Sequence, residues 1–438
     1  MRAIATLLHR WAGLAIAGFL TVSGLTGAVI SWDHELDEVL NPHLTRARDS
    51  GAPIASLELA RRIEARHPHV IVTGIPLRTE PGHSLAFGVA PRVDPATGKL
   101  HEPGFNQVFV DPASGAELGK REWGAVWPVT RETFVSFLYK FHYSLHLPEM
   151  GGIDRWGLWL LGVIAMIWTF DCFIGAYLTL PVRRREARVD DEGGEDTVVR
   201  GRTWWQRWQP AWRVRWKGGP ARLNFDLHRA FSLWTWALLF VIAFTAFSLN
   251  LYRELFLPLI SSISSLTPTP YTERPLAPKH RPNEPRVGFA EVIERARAEA
   301  AARAWLEPMG SAFFNRSYGF YGVQFFYPEN DHGTGGAGHK RLYYDGLDGR
   351  LIGDRLPWTG TAADIFVQAQ FPLHSGRILG VPGRILISLM GVVVAMLSIT
   401  GVVVWMRKRR ARLLAWARTQ GQAPAQAPLR PAGAWMRR

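Results

Sequence analysis

The sequence is nearly without cysteine, holding one residue, Cys172, in 438. A lone cysteine excludes an internal disulfide framework, a cysteine-ligated iron–sulfur cluster, a multi-cysteine zinc site and c-type haem attachment through CxxCH. HExxH zinc spacing and a GxSxG nucleophile elbow are also missing. The only glycine run with the look of a nucleotide loop, GTGGAG at 333–338, lies between expected strands and reads as a hairpin tip. Redox chemistry in this chain must therefore use ligands other than sulfur, with electrons from a separate donor rather than bound NAD(P)H. Acidic residues are in deficit, 37 against 51 Lys and Arg, for a net charge of +14.

A basic excess can serve nucleic acid or the cytoplasmic loops of a membrane protein, and its distribution decides. Four stretches are apolar enough to span a bilayer: about Trp11–Trp32, Trp156–Leu180, Ala230–Leu257 and Ile385–Met406. The first is too long for a signal-peptide core and runs into SWDHELD, so it reads as a retained anchor. Lys and Arg concentrate in PVRRREAR and RGRTWWQRWQPAWRVRWKGG between spans two and three, in MRKRRARLLAWAR after span four, and at Arg2 and Arg10. The positive-inside rule places these in the cytoplasm, with both termini, and about 33–150 and 258–380 outside. Topology thus accounts for the charge and removes nucleic acid as a partner; the lipid bilayer is the partner that composition demands. Trp204, Trp205, Trp208, Trp212 and Trp216, interleaved with Arg, predict an interfacial helix on the headgroups.

The two outer segments repeat each other. VFVDPASGAELGKR (108–121) and LYYDGLDGRLIGDR (342–355) align without a gap, matching Asp111 to Asp345, Gly115 to Gly349, Gly119 to Gly353 and Arg121 to Arg355. Each reads as a β-hairpin preceded by a helix, SLELARRIEARH or FAEVIERARAEAAARAW, giving a small α+β domain in each half. A span, an outer domain and a returning span, used twice, predict a pseudo-twofold axis along the membrane normal.

Of 14 histidines, four sit at span ends in matching repeat positions. His9 and His228 precede spans one and three, each followed by an arginine, Arg10 or Arg229; His142 and His374 precede spans two and four on the outer side. The axis brings His9 toward His228 and His142 toward His374. Two facing imidazoles per layer are what a six-coordinate b-type haem requires, so the expectation is two bis-His haems. Arg10, Arg229, Arg377 and Arg384 are placed for propionates, and Gly13, Gly27, Gly162 and Gly391 for room beside a macrocycle. The plain alternative is that each histidine is an ordinary interfacial polar residue. His146, four residues after His142, shares its face if the helix continues, and could substitute for it or touch substrate. His332 and His339 flank the outer glycine loop and read as solvated surface or contacts to an outer chelate.

Together LHRWAGL…SGLTGAVISWDHELD, FHYSLHLP…RWGLWLLG, DLHRAFSLW and LHSGRILGVPGR…SITGVVVWMRKRR resemble the PepSY-associated transmembrane family. Members are often called iron-regulated inner-membrane proteins, and some act as ferric-siderophore reductases. The resemblance covers all but the tail after about Gly421. It implies an α-helical integral membrane protein with four transmembrane helices and two periplasmic α+β PepSY-like domains in a tandem pseudo-twofold repeat. The layout is span 1–32, domain 33–150, span 151–181, basic loop 182–227, span 228–257, domain 258–380, span 381–406 and cytoplasmic tail 407–438. By position it implies His9, His142, His228 and His374 as axial ligands of two haems b in an inner-membrane oxidoreductase. Electrons from a cytoplasmic donor or a quinol would reduce a periplasmic ferric siderophore or other ferric chelate, releasing Fe(II) for uptake. The sequence departs from the family pattern at Asp171 and Cys172 in WTFDCFIGAY and at FTAFSLNLY in span three. An intramembrane Asp171 marks a functional position or a hydrogen bond to a neighbouring helix. Two other readings stand beside the reductase: a non-catalytic, membrane-anchored PepSY binding or regulatory protein, and a small transporter. Asp171, as the one clear carboxylate within the spans, argues against transport.

Overall fold

Each of the aligned segments folds as the hairpin its Asp–x–x–x–Gly pattern predicts. The structure, a computed structural model, describes residues 1–182, 202–327 and 332–419. The basic run at 183–188 and the tail from 420 lie outside the described residues. In the first copy β3 (Gln107–Val110) pairs with β4 (Glu117–Arg121); in the second β7 (Lys340–Asp345) pairs with β8 (Leu351–Arg355). The registers correspond, Gln107↔Arg121 with Arg341↔Arg355 and Phe109↔Gly119 with Tyr343↔Gly353, and both carry an irregularity after the second of these pairs. Gly115 and Gly349 take φ of +73° and +70°, the left-handed turn conformation that favours glycine.

The chain resolves into two compact units. One comprises Val22–Thr169 and Ala237–Val392 and contains the whole sheet. Its outer parts, expected as two separate domains, are joined. β1 (Val70–Pro76) pairs with β5 (Met309–Asn315) through Gly74↔Phe313, Ile75↔Ala312 and Pro76↔Ser311. With β2 (Leu85–Pro91) and β6 (Phe320–Phe325) this makes one antiparallel eight-stranded sheet, ordered β4-β3-β2-β1-β5-β6-β7-β8. Pairing the two innermost strands removes two exposed sheet edges, a recurrent hazard in β structure. A helix from each copy covers the sheet: α2 (Ser56–Arg66) buries Leu59 and Ile63, and α7 (Phe289–Ala302) buries Val292, Ile293 and Ala296. Leu57, Leu77 and Phe289 pack against both apolar clusters, so the core is continuous across the junction.

Among the described residues three helices are long and apolar enough to cross a membrane: α1 (Arg2–Ile30), α4 (Trp156–Thr179) and α9 (Gly380–Thr419). The third expected span is broken. α5 (Gly219–Trp234) and α6 (Trp236–Asn250) pass the same test only as a pair, bent by 73° at Thr235. No Pro or Gly sits at the break. Thr235 Oγ1 donates back to Phe231 O at 2.7 Å, as other threonines of these helices do to their own preceding turns. The chain is therefore a helical membrane protein with three such helices, or four counting the bent pair, and an added sheet.

The other unit holds Met1–Thr21, Phe170–Trp236 and the described residues from Val393 onward. Here α5 is fixed by Asp226, fully buried, which accepts from Arg215 (2.8 Å), Arg222 (3.3 Å) and Arg229 (3.1 Å). The tryptophan segment is only partly helical. Trp204–Trp208 forms a turn with a Thr203/Gln206 capping box, Gln209–Trp212 is 3-10, and Trp216 lies beyond both.

Asp111 shows what fixes the hairpin geometry. Its buried carboxylate accepts from the backbone N–H groups of Arg48 (2.7 Å), Asp49 (3.0 Å), Ala113 (3.0 Å) and Ser114 (3.1 Å). Burial raises its pKa, but these N–H groups outweigh burial and hold it down to about 2. Since the unfolded value is about 3.9, the bonds stabilise the fold above about pH 4, and their contribution is lost as pH falls through about 2. Asp111→Ala should cost about 2 kcal/mol at neutral pH, by the usual worth of hydrogen bonds to a charged group. The difference from wild type should shrink between pH 4 and 2, read as thermal melts of detergent-solubilised protein by circular dichroism.

Candidate functional site

Both expected histidine pairs form, one inside each unit. His9 on α1 and His228 on α5 have ring centroids 6.3 Å apart. His142, on α3 (Phe134–Ser144), and His374, on α8 (Ala362–Ser375), have centroids 6.2 Å apart. These are the pairs the repeat predicts.

Each ring is anchored through Nδ1 to a helix that does not carry it. His142 Nδ1 lies 3.1 Å from Thr26 Oγ1, and His374 Nδ1 3.0 Å from Thr245 Oγ1. His228 Nδ1 meets Thr400 Oγ1 at 3.2 Å and Leu397 O at 3.0 Å. His9 Nδ1 meets both oxygens of Asp171, at 2.9 and 3.0 Å. A threonine hydroxyl has one proton, and each of these donates it within its own helix: Thr26 to Val22 O (2.8 Å), Thr245 to Val241 O (2.7 Å), Thr400 to Met396 O (2.7 Å). Toward the imidazole each hydroxyl can then only accept, as can the Asp171 carboxylate and the Leu397 carbonyl. All four histidines are thereby set as the Nδ1–H tautomer. Nε2 is left with a free lone pair and, among the described residues, no hydrogen-bond partner.

Glycine lets the rings come this close. A Cβ on Gly27 would sit 2.9 Å from His142 Cε1 and one on Gly401 3.0 Å from His228 Cε1, whereas one on Gly175 would meet His9 Cε1 at 3.4 Å, an ordinary contact. Gly162 and Gly391, expected beside a macrocycle, instead mark close helix packing. Their Cβ atoms would meet Leu251 Cγ at 2.5 Å and Gly24 O at 2.3 Å. A Cβ on Gly13 meets nothing within 4 Å, so that position is open.

His146 does not share the face of His142. α3 ends at Ser144, and Leu145 and His146 both take positive φ, 51° and 52°. The ring turns back so that Nε2 lies 2.9 Å from Phe137 O and stacks on Phe137 with centroids 4.6 Å apart. His146 is thus a local turn residue and not part of either pair. His332 packs against His34 at 5.1 Å, and His339 stacks on Phe326 at 4.0 Å; neither joins the His9–His228 or the His142–His374 pair.

The four arginines divide. Arg377 binds Asp33 Oδ1 at 3.1 Å, and Arg384 binds Glu35 (2.7 Å) and Ser31 O (2.7 Å) and covers the Trp32 ring at 4.4 Å. Both are committed to the end of α1 and the residues after it, rather than standing ready for a propionate. Arg229 is shared between Asp226 and Pro210 O (2.6 Å). Arg10 Nε and Arg229 Nε are buried without a hydrogen-bond partner among the described residues.

Thr26, Thr245 and Thr400 are histidine-anchoring positions that motif reading passed over. Their signal was present, since Thr26 follows His9 at the same spacing as Thr245 follows His228, and Thr–Gly recurs at 26–27 and 400–401. Among the described residues no group of three or more His, Cys, Asp or Glu could hold a metal. A metal at either pair would therefore have two protein ligands and need the rest from a cofactor.

Thr26→Val should remove the hydroxyl that His142 Nδ1–H bonds and destabilise the protein by about 1 kcal/mol, with Thr26→Ser close to wild type. Thermal denaturation in detergent checks this, and equal melts for Val and wild type would remove the anchoring role.

The model of a family described as PepSY-associated TM region matches residues 6–408. No curated protein matches the sequence.

Proposed function

The chain belongs to the PepSY-associated TM region family, and from that premise we propose that it is a dihaem b-type membrane oxidoreductase, His9 and His228 holding one haem and His142 and His374 the other. The supporting observation is the pair geometry. A first-row metal–imidazole bond of about 2.0 Å, plus about 1.1 Å from nitrogen to ring centre on each side, puts two trans imidazoles about 6 Å apart. The measured centroid separations are 6.3 and 6.2 Å. Each free nitrogen is Nε2, and each Nδ1–H is bonded to an oxygen, the arrangement that orients metal-ligating histidines and raises their basicity. With two protein ligands per site, a tetradentate porphyrin completes six-coordination, where a bare ion would not be held. Arg10 and Arg229 directly follow His9 and His228 in sequence, and the buried Nε of each, without a hydrogen-bond partner among the described residues, is a donor suited to an acidic group.

When bound, the haems supply one-electron chemistry; the protein supplies ligation and electrostatics. Ligation by both histidines of a pair would leave no open iron position, which would favour electron transfer over oxygen activation. The overall reaction is one-electron reduction of Fe(III) in a ferric siderophore or related chelate, releasing Fe(II). Electrons come from a cytoplasmic reductant or a quinol. The distribution of Lys and Arg supports placement in the inner membrane, with cytoplasmic termini and the sheet on the periplasmic side.

Purified protein from haem-replete cells should show a Soret band and sharp α and β bands on dithionite reduction. His9→Ala or His228→Ala should remove one haem, and His142→Ala or His374→Ala the other. Haem-free protein, or loss of both haems from every single variant, would contradict the proposal.

A further inference from the structure

Three of the four histidine anchors are neutral and one is charged. Thr26, Thr245 and Thr400 present hydroxyls, Leu397 adds a carbonyl, and His9 alone rests on a carboxylate, Asp171. The repeat explains how this arises. Gly401 packs on His228 and directly follows Thr400; Gly175 packs on His9, but the residue before it is Ile174, which has no hydroxyl. Asp171, one turn earlier on α4, takes the vacant anchoring role.

The substitution is not chemically neutral. Asp171 is buried at 8% exposure within a helix apolar enough to span the membrane. Among the described residues its only ion-pair partner is His9; no Lys or Arg reaches it. A carboxylate so placed is expensive to bury unless a positive charge lies close by. Nδ1–H of a neutral imidazole supplies only a dipole, whereas an imidazole ligating a ferric centre carries the needed positive charge on the far side of the ring.

We infer that Asp171 is a positioning and tuning residue that lowers the reduction potential of the His9–His228 site below that of the His142–His374 site. The inference rests on the dihaem reading above. A carboxylate accepting from Nδ1–H pushes charge toward Nε2 and stabilises the oxidised, more positive metal. The His142–His374 site, anchored by two hydroxyls, lacks this bias. A potential step therefore favours net electron movement from the carboxylate-anchored pair to the hydroxyl-anchored pair, and the direction is built into the second layer of side chains rather than the ligands.

An optical redox titration of the purified holoprotein tests this. Wild type should titrate as two one-electron components at distinct midpoints. Asp171→Asn, which keeps the acceptor oxygen but removes the charge, should shift the lower midpoint upward by about a tenfold change in equilibrium constant, about 59 mV. The upper midpoint should stay in place, and Asp171→Glu should remain near wild type. If Asp171→Asn fails to load, Asp171→Thr, which restores a hydroxyl like the other three anchors, is read in the same way. Two components with unmoved midpoints in the charge-removing variant, or a shift of the upper component alone, would overturn the tuning role and leave the dihaem reading intact. Wild type with no haem component would overturn both.

Discussion

The structure turns on where a few hydroxyl protons go. In a helix, a threonine that donates to the carbonyl one turn back has a lone pair left and no proton to offer. Thr26, Thr245 and Thr400 all do this, and each presents that lone pair to an imidazole on another helix. The bond selects one tautomer, fixes the ring plane and frees the opposite nitrogen. The proposed chemistry needs all three, and a histidine merely sitting at a membrane interface would secure none of them.

The outer architecture works to the same end. Fusing the two α+β halves through β1 and β5 gives one rigid sheet in place of two small domains, each with an exposed edge. From its edge strand β4, Arg121 forms a bidentate pair with Asp37 (2.8 Å to each oxygen) and binds Glu132 O (3.0 Å), just ahead of α3. Arg377 and Arg384 tie the start of α9 to Asp33, Ser31 and Glu35, and Trp32 Nε1 donates to Ser388 at 3.0 Å. These bonds engage Arg377 and Arg384 with the end of α1 and the residues after it, beside the elements that present His142 and His374.

Much of this was legible from sequence because the repeat is strong. The hairpins were read from the spacing of Asp111, Gly115 and their counterparts, and the pairing of histidines from a twofold axis alone. What escaped has physical reasons. The β1–β5 junction depends on two strands from different copies meeting, and no local pattern announces a partner so distant in sequence. The helix through His142 stops at Ser144 because two consecutive residues adopt positive φ with no glycine present, so His146 looked like a helical neighbour. The break at Thr235 carries no Pro or Gly to announce it. Asp171 was flagged as out of place in a span, but its partner required knowing that Gly175 brings His9 against that helix.

The central claim is that each pair contributes two Nε2 nitrogens to one iron, and electron paramagnetic resonance of the oxidised holoprotein tests it most directly. The account predicts two low-spin ferric signals of the bis-imidazole type. A high-spin ferric signal, or a single low-spin species in fully loaded protein, would contradict it.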